Sequence, residues 1–162
     1  METASASTQL LNFSDTLKLL LLRAGELLSC LQRENRLLQG PDVNALHQLN
    51  GEKSGLLVQI EALDRKRAEL LAGLGFTDDP EGMKRLLATT PKPLGLETVW
   101  RELRDTLEAC QRQNQINGGA IELSRRHAQQ ALILLRGDPN GNLYDQRGDS
   151  CNRPDGRSLA RA

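Results

Sequence analysis

Aromatic residues are scarce in this chain, whose 162 residues include two phenylalanines, one tryptophan and one tyrosine. A β-sandwich depends on aromatic and β-branched side chains, and the sequence offers few of either. Leucine dominates the apolar content instead. We therefore expect an all-α protein whose core consists of aliphatic side chains packed between helices.

An excess of charge of either sign is also lacking, because 21 basic residues balance 21 acidic ones. The balance holds along the chain, so no basic face is large enough to neutralise several phosphates of a nucleic acid. Arg125-Arg126-His127 is the one cluster that suggests a DNA-binding helix, and it is too small. We expect no nucleic-acid partner.

Cysteines are few, and Cys30, Cys110 and Cys151 are widely spaced without a CxxC pair. This pattern indicates neither a zinc site nor a disulfide framework, and it favours a reducing cytosol. The N-terminus has no basic segment, and charged residues interrupt the leucine run that follows it. We therefore expect neither a signal peptide nor direct insertion into a membrane.

Catalytic motifs are missing as well: the sequence contains no nucleophile elbow, Walker loop, GxGxxG or HExxH segment. His47 and His127 lie far apart, and neither has a Cys, Asp or Glu companion at a repeated ligand spacing. We expect a protein that is not an enzyme and that uses no metal or other cofactor.

The first periodic segment shows apolar residues at alternating steps of three and four over residues 10–38, the heptad pattern of a coiled-coil helix. Glu34 is the one polar residue in this seam. Gly40 suits the left-handed position that follows a helix, and Asp42 suits the N-cap of the next helix. So short a link predicts an antiparallel hairpin, with a first helix over about residues 8–38.

The second helix of the hairpin is predicted over about residues 42–74, again with heptad spacing. Lys53 and Arg67 stand at seam positions where apolar residues are expected. Their long aliphatic stems can cover the seam while their charges reach water. We therefore expect both side chains to extend to the surface.

The third long helix is predicted over about residues 94–136, after a short helix at about residues 80–89 that Asp79 is placed to cap. Its seam comprises Leu96, Trp100, Leu103, Leu107, Cys110, Asn114, Asn117, Ile121, Ser124, Ala128, Ala131 and Leu135. Residues 1–136 are expected to form one helical domain, an elongated hairpin joined by the third helix in a three-helix coiled-coil-like bundle. Residues 137–162 lack periodicity and are expected to form a mobile C-terminal tail.

The middle of the third seam is polar and contains Asn114, Asn117, Gly118 and Gly119. A glycine costs about 1 kcal/mol relative to alanine in a helix interior, so this stretch weakens the helix. One interpretation is a polar layer that fixes the register of the bundle. The other is a hinge that lets the C-terminal half of the helix reposition around a partner.

Five consecutive apolar residues, Ala131-Leu132-Ile133-Leu134-Leu135, end the third helix. One helix face can bury about half of them. We expect Ala131 and Leu135 to lie in the core. Leu132, Ile133 and Leu134 exceed what the fold can bury, which is typical of an apolar stripe that docks in a groove or on another helix.

Leu143 and Tyr144 form an apolar pair within the otherwise polar tail. Tyrosine offers a large rigid contact surface at a small loss of entropy, so the pair suits a docking peptide. The alternative is that the pair folds back and caps the end of the bundle.

Two sets of residues carry a resemblance to a known family. The first comprises Asn114, Asn117, Gly118, Ile121, Gln130, Ala131, Leu132, Leu135, Arg136, Gly137, Tyr144, Asp145 and Gly148. The second comprises Leu27, Leu28, Glu34, Leu37, Leu38, Asp42, Leu46, Leu49, Lys53, Leu56, Leu63, Arg67, Leu70 and Leu71. Over about residues 10–148, their types and spacing resemble the FlgN family of flagellar type III export chaperones, whereas residues 149–162 have no counterpart there.

The resemblance implies a cytosolic export chaperone that grips the C-terminal helices of the two hook-associated junction proteins. It would prevent their premature assembly and present them to the cytoplasmic domain of the type III export gate. Client binding would fall to the last part of the third helix, namely Ile121, Ala128, Leu132, Ile133, Leu134 and Leu135. Docking on the gate would fall to Leu143 and Tyr144.

A rival interpretation uses the same seams for self-association. A structural coiled-coil adaptor or self-assembling scaffold would form homodimers through them and would have no client-release function. Dependence of the assembly state on concentration, with and without a client, separates the two functions.

Overall fold

The computed structural model describes residues 2–135, with the side chains of residues 7–92 and 94–133. Four α-helices and one short 3-10 helix follow one another: α1 (Glu2–Leu37), α2 (Val43–Gly73), α3 (Pro80–Thr89), the 3-10 helix (Lys92–Leu94) and α4 (Leu96–Leu135). The predicted all-α fold class is confirmed, with α1 packed against both α2 and α4.

The chain divides into two compact units, the first spanning Met1–Leu123 and the second beginning at Ser124. The described part of the second unit is the last part of α4. The predicted mobile tail, residues 137–162, lies outside the described residues.

Helix α1 supplies the centre of the first unit. Its predicted seam is buried from Phe13 to Leu31 through six apolar side chains, namely Phe13, Leu17, Leu20, Ala24, Leu27 and Leu31. Leu71 of α2, Met83 and Leu86 of α3, and Leu96 and Leu103 of α4 pack against the first part of this seam. Each fully buried Leu or Phe contributes about 1.5–3 kcal/mol relative to its exposed state, so α1 is the element that holds the others together.

Two hydrogen bonds fix α4 alongside α1. Cys110 Sγ donates to the carbonyl oxygen of Ala24 at 3.5 Å. Seven residues later on both helices, Asn117 Nδ2 donates to the carbonyl oxygen of Leu31 at 2.8 Å. Because both contacts advance by one heptad, α1 and α4 run parallel in a shared register.

The turn between α1 and α2 uses the predicted N-cap but not the predicted left-handed glycine. Asp42 Oδ1 accepts a hydrogen bond from the Ala45 backbone N–H at 2.9 Å. Gly40 does not have the positive φ expected of it, whereas Gly75 and Gly95 do, at 83° and 62°. The reason is local: the Gly40 N–H bonds to the Leu37 carbonyl oxygen at 3.0 Å, and a residue that precedes proline favours extended conformations.

The start of α3 is set by Asp79 and Gly82. Asp79 caps the helix as predicted, since its Oδ1 accepts a hydrogen bond from the Gly82 backbone N–H at 2.6 Å. That bond, followed by one from the Thr77 side chain, lowers the pKa of Asp79. A Cβ atom at position 82 would lie 2.0 Å from the Thr77 carbonyl oxygen, so glycine is required there.

Arg67 of α2 does not extend into water as expected. It is buried, and its guanidinium donates to Asp64 at 2.7 Å and to Asp78 at 2.8 Å. Burial opposes the charge, but hydrogen bonds to these two carboxylates outweigh it and raise the pKa of Arg67. Paired in this way, the cation ties α2 to the segment that precedes α3.

Candidate functional site

A buried polar layer crosses α1, α2 and α4. At its centre, the side chain of Asn117 is 1% exposed, and its Nδ2 donates to Leu31 O at 2.8 Å and to Glu34 Oε2 at 2.7 Å. The other carboxylate oxygen of Glu34 accepts a hydrogen bond from Lys53 Nζ of α2. Lys53 therefore pairs with a buried anion while its side chain stays partly exposed, so the expectation that it extends to the surface holds only in part.

The remaining oxygen of Asn117 is also satisfied. Asn117 Oδ1 accepts hydrogen bonds from Asn35 Nδ2 and from Gln113 Nε2, each at 3.0 Å. Two donated and two accepted bonds fill the capacity of an amide side chain. A fully satisfied buried network of this kind holds one relative position of its helices, because any shift would leave a polar group without a partner.

The four residues proposed as a polar layer or a hinge are placed differently. Asn117 lies within the layer, whereas Asn114 is exposed and Gln113 provides the contact from the preceding turn. Gly118 and Gly119 are exposed and lie within the continuous helix α4. A hinge at these glycines stays a prediction.

Beyond the layer, the first unit leaves α4 uncovered. Ile121 is 48% exposed, and Leu123 is also exposed, as is Ile116 directly before Asn117. Ile116 and Leu123 were not predicted to be exposed contact residues, because neither lies on the predicted seam. The signal was present, since residues seven positions apart share one face of a helix.

In the second unit, every described side chain from residue 124 to residue 133 is exposed. Leu132 is 50% exposed and Ile133 is 40% exposed, and Ala128 lies on the same helix. The expectation that Ala131 lies in a core is wrong, because the described part of this unit is a single helical segment with nothing to bury it. The side chains of Leu134 and Leu135, and both Leu143 and Tyr144, lie outside the described residues.

A second apolar surface lies in the first unit as an open groove of about 490 Å³. Leu20 of α1 forms its floor, Leu57 and Ile60 line it from α2, and Leu103 and Leu107 line it from α4. Leu57 is 49% exposed and Leu107 is 41% exposed. The expectation that Leu107 lies in a covered seam is therefore wrong, because α2 and α4 do not close over it.

The two described cysteines are packing residues. Cys110 donates to Ala24 O, and Cys30 Sγ donates to Leu49 O at 3.8 Å. Burial raises the pKa of both thiols, which disfavours the reactive thiolate.

The described residues also contain no group of three or more His, Cys, Asp or Glu side chains arranged to hold a metal ion. His47 and His127 are exposed. Among the helices over residues 2–135, none combines the length and the apolar composition needed to cross a membrane.

Comparison with known proteins gives one match. The family model described as FlgN protein matches residues 9–150 of the chain, close to the extent of the resemblance seen in the sequence. No curated protein and no solved structure matches the chain. Because the matched segment covers most of the sequence, the chain belongs to the FlgN family of flagellar export chaperones, which are not enzymes.

Proposed function

We propose that this chain acts in the cytosol as a chaperone for the hook-associated junction proteins. It binds their C-terminal helical regions, prevents their premature assembly and delivers them to the type III export gate. Membership of the FlgN family supports this proposal, because the family implies binding of flagellar hook-associated proteins.

The observation that carries the proposal is the exposure of Leu132 and Ile133 near the end of α4. Large apolar side chains that no other described element covers are suited to contact another helix. A client helix that covers them would bury its own apolar face against the chaperone, and it could then not assemble through that face. The mechanism is stoichiometric, with binding in place of a chemical step.

The full proposed contact comprises Ile121, Ala128, Leu132, Ile133, Leu134 and Leu135. The polar layer around Asn117 supports it by fixing the preceding part of α4 against α1. Leu143 and Tyr144 are proposed to dock on the cytoplasmic domain of the gate, with the client still bound.

The test is the affinity of the full chain for purified hook-associated junction proteins, measured by titration calorimetry. Leu132→Asp places a charge within the contact, and we expect the dissociation constant to rise by about tenfold or more. Gln130→Asp, an exposed position on the same helix, is the matched control and should change affinity by less than about twofold. Unchanged affinity in Leu132→Asp would place the contact elsewhere.

The adaptor alternative makes a different prediction about assembly. If the exposed leucines mediate self-association, the mean molar mass measured by light scattering should increase with the concentration of the chain alone. A chaperone should instead form a complex of fixed stoichiometry only when a junction protein is added. An increase in the molar mass of the chain alone, unaffected by the junction proteins, would favour the adaptor.

A further inference from the structure

The groove between α2 and α4 has the layout of an unfinished helical bundle. Helix α1 packs against both neighbours, and its Leu20 forms the floor of the groove. The walls come from α2 and α4, which leave Leu57 and Leu107 about half exposed. Three helices are thus arranged around a space in which a fourth helix would complete a four-helix bundle.

The spacing along the walls is that of a coiled coil. On α2, the lining residues Leu57, Ile60 and Asp64 are separated by three and four positions, and on α4 the same steps separate Trp100, Leu103 and Leu107. Side chains at these intervals form holes that accept knobs from a neighbouring helix. An extended strand or an irregular peptide would not match two walls of this period.

Polar contacts mark both ends of this apolar stretch on α2. Lys53, one turn before Leu57, pairs with the buried Glu34. Arg67 at the other end pairs with Asp64 and Asp78. The lining residues of α2 run from Leu57 to Arg67, a rise of about 15 Å, which accommodates roughly three turns of a helix.

The charge on the α2 wall favours one kind of occupant. Glu61 and Asp64 lie along this wall with largely exposed carboxylates. Glu61 pairs with Arg65, and Arg67 is shared between Asp64 and Asp78. Three carboxylates therefore stand beside two guanidinium groups, and this rim keeps a small net negative charge. Exposed ion pairs contribute little affinity, but complementary charge selects the orientation of a partner.

We propose that this groove binds an amphipathic helix of a client, about three turns of it, with basic residues on the flank that faces α2. The inference rests on the proposed chaperone function and adds a second contact to the exposed end of α4. In this proposal the client segment is helical when it is bound in the groove of the first unit.

Trp100, the single tryptophan of the chain, lines this groove and also a pocket between α3 and α4. Its emission therefore responds to a bound peptide, and substitutions in the groove assign the signal. The probe is a synthetic amphipathic peptide whose central segment of about three turns has leucines at heptad spacing and lysines on one flank. We expect saturable blue-shifted emission from the full chain as the peptide excludes water from the indole. A peptide with glutamates in place of the lysines should bind about tenfold more weakly at low salt, with a smaller difference at high salt.

Three substitutions test whether the change in Trp100 emission comes from the groove. Leu57→Glu and Leu107→Glu should each weaken peptide binding by about tenfold or more, since a charge would enter an apolar contact. Val58→Glu is the matched control, because Val58 is exposed beside Leu57 but does not line the groove. Thermal unfolding followed by circular dichroism should show that all three variants keep the wild-type helix content, as expected for exposed positions.

Each outcome decides the proposal. Equal binding of the peptide by the wild type, Leu57→Glu and Leu107→Glu would overturn it, and so would the absence of any Trp100 response. A blue shift that grows with chain concentration alone would assign the groove to a second copy and would also overturn it. If the junction proteins fail to bind the wild type while the peptide result holds, the chaperone function fails and the helix-binding groove stands.

Discussion

Helix α4 contains two regions that the polar layer at Asn117 separates. Before the layer, Leu96, Leu103 and Cys110 are buried against α1. One turn after it, Ile121 is about half exposed, although its spacing continues the same seam. The difference teaches that heptad spacing shows which face of a helix can be covered, but not how far the covering helix extends.

The physical cause of the change is the length of α1. Asn117 bonds to Glu34, and α1 ends three residues later at Leu37. There is therefore little of α1 left to cover Ile121 within the first unit. The client contact proposed above lies among the exposed apolar residues that follow.

The largest expected effect comes from truncating one leucine in each region. Leu103→Ala removes a side chain from the core and should lower the free energy of unfolding by about 2–5 kcal/mol. Leu132→Ala removes an exposed side chain and should change it by less than about 0.5 kcal/mol. Urea denaturation measures both. Similar losses in the two variants would show that the end of α4 is covered in the free protein.

The boundary between the two regions of α4 is tested by a substitution in the polar layer. Asn117→Ala would leave the buried Glu34 and the Leu31 carbonyl without a donor from α4, so we expect a loss of about 2 kcal/mol in the free energy of unfolding. Asn114→Ala is the matched control at an exposed position, with an expected change below about 0.5 kcal/mol. If the two variants unfold at the same urea concentration, the layer does not hold α4 in place.

Much of the first unit was predictable because its determinants are local. The α1 seam from Phe13 to Leu31 follows from heptad spacing, and the caps at Asp42 and Asp79 follow from side-chain chemistry next to a helix start. Each of these features depends on residues within one or two turns of each other. The sequence contains that information without reference to any other helix.

The predictions that failed depend on contacts between distant segments. Arg67 was expected in water, but it meets Asp78, which belongs to the connection after α2. Leu107 was expected in a covered seam, but covering it requires α2 to approach α4. Ala131 was expected in a core that the described residues do not provide. Heptad spacing on one helix cannot specify any of these distances.

The candidate site was predictable in parts. Glu34, Lys53 and Asn117 each stood out as a polar residue in an apolar seam, yet their pairing depends on the relative register of three helices. The apolar excess of Leu132 and Ile133 was visible in the sequence. The groove between α2 and α4 was not, since Leu57 is off the seam of its own helix.

The boundary between the two regions also distinguishes a hinge from a layer. We expect amide hydrogen exchange to be slow through Asn117 and faster by about tenfold or more over residues 124–133, because their side chains are exposed. Nuclear magnetic resonance or mass spectrometry measures the rates. Fast exchange confined to Ile116–Ala120, with protection restored over residues 121–133, would instead indicate a hinge at Gly118 and Gly119.

The smallest effect concerns the start of the covered region, where Met83 and Leu86 of α3 pack in the same cluster as Leu96. The hydrogen bond from Gly82 holds the pKa of Asp79 below its ordinary value of 3.8. Because the folded pKa is the lower one, the stabilisation is fully present above pH 3.8 and is lost as the pH falls through the folded pKa.

The matched variant for this cap is Asp79→Ala, which removes the carboxylate and leaves the backbone bonds of α3. It should be less stable than the wild type at neutral pH, and the difference should shrink only below pH 3.8. Urea denaturation across this pH range measures the difference. If the difference in unfolding free energy between the wild type and Asp79→Ala already disappears near neutral pH, another titrating group controls the stability of α3. The packing of α3 beside the covered part of α4 would then not depend on the Asp79 cap.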